Sequence, residues 1–83
     1  MTTSKKMTEL EDRIMVLRHA AINLGKDIDL IKEDLPNAPG QDRPFLLASL
    51  LGLSREKGVK EAQIRDLEEA LATRRVRLML SKI

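Results

Sequence analysis

Eight apolar residues upstream of the first proline, Leu10, Ile14, Leu17, Ala21, Leu24, Ile28, Ile31 and Leu35, alternate spacings of four and three. That repeat keeps one stripe of an α-helix apolar along its whole length, as in a helix packed lengthwise on another helix. In this register Leu10, Leu17, Leu24 and Ile31 are d positions, and Ile14, Ala21, Ile28 and Leu35 are a positions. Met15, Val16, Ile22 and Leu30 then fall on the b and c flanks. A single partner helix would leave those flanks wet, so a second contact surface is expected.

The boundaries follow from local chemistry. Residues 1–7 are polar and read as a frayed tail. Thr8 with Glu11 forms a capping box, which starts a first helix over residues 8–35, about seven turns and roughly 42 Å long. Pro36 disfavours helical geometry in the residue before it and stops the helix. Residues 36–43 hold Pro36, Pro39 and Gly40 and reverse the chain. Asp42 is a good N-cap, and Pro44 is tolerated in the first turn of the helix that follows.

The second arm forks in the reading. Gly52 and Gly58 bracket Ser54-Arg55-Glu56-Lys57, and two glycines so close favour a kink or break. The preferred division is a helix over 44–52 and another over 59–81; the alternative is one continuous helix over 44–81. Ile64, Leu67, Leu71 and Leu78 carry the apolar stripe, with Ala70, Val76, Met79 and Ile83 beside it. Gly25, inside the first helix, marks a close helix crossing. The expected fold is an all-α helical hairpin of two long antiparallel helices, in one helical domain over residues 8–83.

Composition agrees with that fold and narrows the function. The chain has 83 residues, one aromatic residue (Phe45) and no cysteine, so it holds neither a disulfide framework nor a thiolate metal site. A domain this small and without such staples gains from oligomerisation, and dimerisation into a helical bundle is expected. The longest nearly apolar run, Phe45 to Leu51, is too short to span a bilayer, and the start has no apolar core of a secretion signal. A cytoplasmic location follows as an expectation.

Catalytic chemistry finds little to work with. His19 is the only histidine and falls at an f position, away from the seam and without a triad or ligand partner. A Glu-x-x-His metal motif is missing because position 16 is Val16. Gly40, Gly52 and Gly58 match neither phosphate-cradling loop spacing. No enzyme activity, cofactor, metal or small-molecule substrate is expected. Asp27, Asp29, Glu33 and Asp34 form an acidic patch at the end of the first helix, either solvated surface or a dock for a basic partner. Arg74, Arg75 and Arg77, with Lys82 beyond, suit the C-terminal end of a helix dipole and could also meet phosphates.

Two resemblances bear on function. The stretch Leu47-Ala48-Ser49-Leu50-Leu51-Gly52-Leu53-Ser54-Arg55 resembles the first helix and turn of a helix-turn-helix. Ala48 and Gly52 fit, whereas the branched apolar position falls on Gly58, with Val59 one residue late. The likeness spans about a quarter of the chain and implies a small DNA-binding regulator with a degenerate motif at about 44–71. Its contacts would come from Arg55, Lys57, Lys60, Arg74, Arg75 and Arg77. The proline-rich reversal, Pro44-Phe45-Leu46-Leu47-Ala48 and the ending Leu78-Met79-Leu80-Ser81-Lys82-Ile83 look like type III secretion needle subunits, without that family's aromatic and Asn-rich stretches. That likeness implies a needle-like subunit or its helical chaperone.

The residues themselves favour a different function, a non-catalytic interaction module: an adaptor, regulator, assembly factor or inhibitor that binds itself and a protein partner. Leu17, Leu24, Ile28 and Ile31 would carry the intramolecular seam, and Met15, Ile22 and Leu30 the second interface.

Overall fold

The computed structural model describes the backbone of residues 2–81 and the side chains of residues 7–81. Helix α1 runs Thr2–Asp34, a 3-10 turn covers Leu35–Asn37, and helix α2 runs Arg43–Ser81. The two helices pack against each other as a hairpin 65 Å long and 14 Å in both other directions. Two straight rods of Cα radius about 2.3 Å would make a flat pair, so the equal widths reflect the winding that a heptad repeat imposes.

The reversal forms as the prolines dictate. α1 ends at Asp34, one residue before the expected Leu35, and Pro36 lies in the first turn of the 3-10 segment. The Ala38 amide donates to the Leu35 carbonyl at 3.3 Å and the Asp42 amide to the Pro39 carbonyl at 2.9 Å. The Asp42 carbonyl then accepts from the Leu46 amide at 3.1 Å, the first intrahelical bond of α2.

Two boundaries differ from the sequence reading. Residues 2–7 are helical, not a tail, and Thr8 lies inside α1 and cannot cap its start. The physical reason is Met7, seven residues before Ile14: it is half-buried and extends the seam by one more a position. The expected break between Gly52 and Gly58 is also absent, and the continuous alternative holds. Neither glycine has a positive φ, and a β-carbon at either would meet nothing within 4 Å. Each weakens the helix by about 1 kcal/mol relative to Ala, yet α2 runs through both without interruption. Met1, Lys82 and Ile83 lie outside the described residues.

All eight expected seam residues, seven in α1 and Leu35 in the 3-10 turn, are buried or half-buried, led by Ile14, Ala21 and Ile28 at 5 to 8% exposure. On α2 the inward stripe is Leu46, Leu50, Leu53, Lys57, Lys60, Ile64, Leu67, Leu71, Arg74 and Leu78, again in alternating steps of four and three. Leu71 is the one buried member on α2, and no described side chain is less than 2% exposed. Each seam residue is covered by only one neighbouring helix, so burial stays partial along the hairpin.

Candidate interaction surface

The two long edges of the hairpin differ. Along one edge the Arg18 guanidinium pairs with the Glu68 carboxylate, and Arg75 donates to Glu11 at 3.2 Å. Residues 11 and 18 stand seven apart, as do 68 and 75, so the pairs bridge the helices at the same register position in successive heptads. The four side chains are 44 to 61% exposed, so each pair contributes at most about 1 kcal/mol, but together they close this edge with charge.

The opposite edge stays open. One hollow lies between Asp12, Arg13, Val16 and Leu17 of α1 and Gln63, Asp66 and Leu67 of α2. A second lies nearer the loop, between Asp27, Leu30 and Ile31 and the facing Ser49, Gly52, Leu53 and Glu56. Both are floored by seam residues and walled mainly by c and g positions, of which only Ser49 and Gly52, in the hollow near the loop, are small.

The residues expected at the second interface divide between the edges. Met15 and Ile22 lie on the ion-paired side, in a concavity of α1 shared with Glu11, Ile14, Arg18 and His19. Leu30 stands on the open side, lining the hollow near the loop. All three are more than half exposed, as are Val16, Phe45, Leu51, Val59, Val76, Met79 and Leu80. Leu17, Leu24 and Ile31 are half-buried and Ile28 is buried, in the seam where the heptad puts them. His19 is exposed, as its f position implies.

The six cations weighed as nucleic-acid contacts do not converge. Arg55 and Arg77 are exposed, whereas Lys57, Lys60 and Arg74 are half-buried in the α2 stripe. Arg75 is paired with Glu11, and Lys57 reaches Glu61 at 3.7 Å. Lys57 also lies over Gly25, where a β-carbon would be 3.7 Å from its Nζ. The close approach at Gly25 is thus to a lysine side chain. Residues 47–55 and 58–71 belong to the single helix α2, so the turn a helix-turn-helix requires is absent.

Apolar periodicity alone does not reveal the seam cations. The signal that finds them is the unbroken four-three step from Leu46 to Leu78, once the aliphatic stems of Lys57, Lys60 and Arg74 count as seam material. Among the described residues no cluster of His, Asp and Glu could hold a metal ion, and no helix is long and apolar enough to cross a membrane. Compared with protein-family models, curated proteins and solved structures, the chain has no match.

Proposed function

We propose that this chain is a non-catalytic interaction module, a helical hairpin that associates with itself and acts through protein contacts as an adaptor, regulator or assembly factor. The observation that carries this reading is the mismatch between its apolar content and its burial. Among the described residues four apolar residues are buried, while eleven large apolar side chains are 46 to 76% exposed. Scattered exposed leucines are ordinary, but exposed apolar residues spaced along both arms of so thin a molecule leave surface for association to cover.

Two measurements test it. Light scattering over a wide concentration range should give a mass above the 9.4 kDa of one chain. Titration with unrelated DNA duplexes at roughly 50 and 200 mM salt should show binding that is weak and lost at the higher salt. A duplex held at nanomolar affinity near physiological salt, with a large preference over others, would replace this reading with DNA recognition.

A further inference from the structure

We propose that the open edge takes a second copy of this chain, with the two hairpins antiparallel, their loops at opposite ends and the two-fold axis passing near Ala20. The proposal rests on self-association as read above and adds which face, which direction and which centre.

The face follows from charge and shape. A copy docking on the other edge would have to desolvate Arg18 with Glu68 and Glu11 with Arg75, which costs more than their exposed attraction returns. On the open edge the hollows are floored by Leu17 and Leu67 and by Ile31 and Leu53, Ser49 and Gly52 leave room in the one near the loop, and the wall charges Arg13 and Asp27 are of opposite sign. The side of the hairpin projects roughly 900 Å² at 65 Å by 14 Å, of the same order as the about 800 Å² each partner buries in a standard stable interface, so the contact must run the full length of the edge.

The direction follows from the charges at the two ends. From residue 27 to 53, Asp27, Asp29, Glu33, Asp34 and Asp42 stand against Lys32 and Arg43, a net of −3 at the loop end. At the other end residues 2–13 hold Lys5, Lys6 and Arg13 against Glu9, Glu11 and Asp12, and residues 70–81 add Arg74, Arg75 and Arg77 with no acid, a net of +3. Parallel copies would set like ends together, whereas antiparallel copies set acid beside base. The centre follows from register. Arg13 and Asp27 both occupy g positions, seven residues either side of Ala20. A two-fold axis at Ala20 places Arg13 opposite the partner subunit's Asp27, and does so twice.

The test uses charge exchange and a single introduced thiol in the full chain, which has no cysteine of its own. Arg13→Asp and Asp27→Arg change exposed residues, so helicity should be retained, as circular dichroism would verify. Each should raise the dimer dissociation constant by about five-fold or more, and the double variant should return it close to the starting value. Ala20→Cys should oxidise to a disulfide-linked dimer, while Met15→Cys on the ion-paired edge should not. A double variant no better than its parents, or crosslinking at Met15→Cys and not at Ala20→Cys, overturns the proposal while the unmodified chain, still dimeric by sedimentation, keeps the self-association reading. An unmodified chain that sediments as a monomer removes both.

Discussion

Gly25 and Lys57 meet across the seam: the end of the lysine lies over Gly25, where a β-carbon would make ordinary van der Waals contact with it, while its ammonium reaches Glu61. Lys57 and Lys60 stand at consecutive inward positions of α2, and charged residues there reduce stability while fixing register. Replacing Lys60 with Leu should therefore raise the free energy of unfolding by about 1 kcal/mol and broaden the distribution of oligomers. Urea denaturation and sedimentation velocity read the two effects. Leu24 and His19 give the opposite contrast, five residues apart on the same helix. Leu24→Asp puts an unpaired carboxylate into the seam and should unfold the chain at a cost of several kcal/mol, whereas His19→Ala should stay within about 0.5 kcal/mol. Circular dichroism melts of both variants check the register, and equal effects would mean that it is misassigned.

The elements differ in how openly the sequence displays them. The α1 seam is legible because each of its eight positions from Leu10 to Leu35 is apolar, and the reversal is legible because Pro36, Pro39 and Pro44 permit little else. α2 is less so, since cations occupy three inward positions and two glycines mimic a break that tertiary packing overrides. The start of α1 was hidden by a local signal, Thr8 with Glu11, where Met7 and the winding pair carry the helix further upstream, while Glu11 bonds to Arg75 instead. The open edge could not be seen at all without the structure, because it depends on which flank of α1 meets which flank of α2. Gly58 tests the continuity of α2 directly. Gly58→Ala should add about 0.5 to 1 kcal/mol, because its backbone is regular helix and a methyl group there meets nothing within 4 Å. A loss of stability on thermal or urea unfolding would instead indicate that the glycine is needed as a bend.

At the scale of the whole molecule, a hairpin 65 Å long with four buried apolar side chains among the described residues has little with which to offset the conformational entropy of ordering two long helices. The proposed association would add a second layer to the same seam, so folding and assembly should be coupled and the melting temperature should rise with protein concentration. Sedimentation equilibrium from low to high micromolar concentration, with thermal melts at the same concentrations, measures that coupling most directly. A mass approaching twice 9.4 kDa, with a melting temperature that climbs in parallel, is the expected result. A fully helical species that stays at 9.4 kDa throughout and melts cooperatively at one temperature would contradict it.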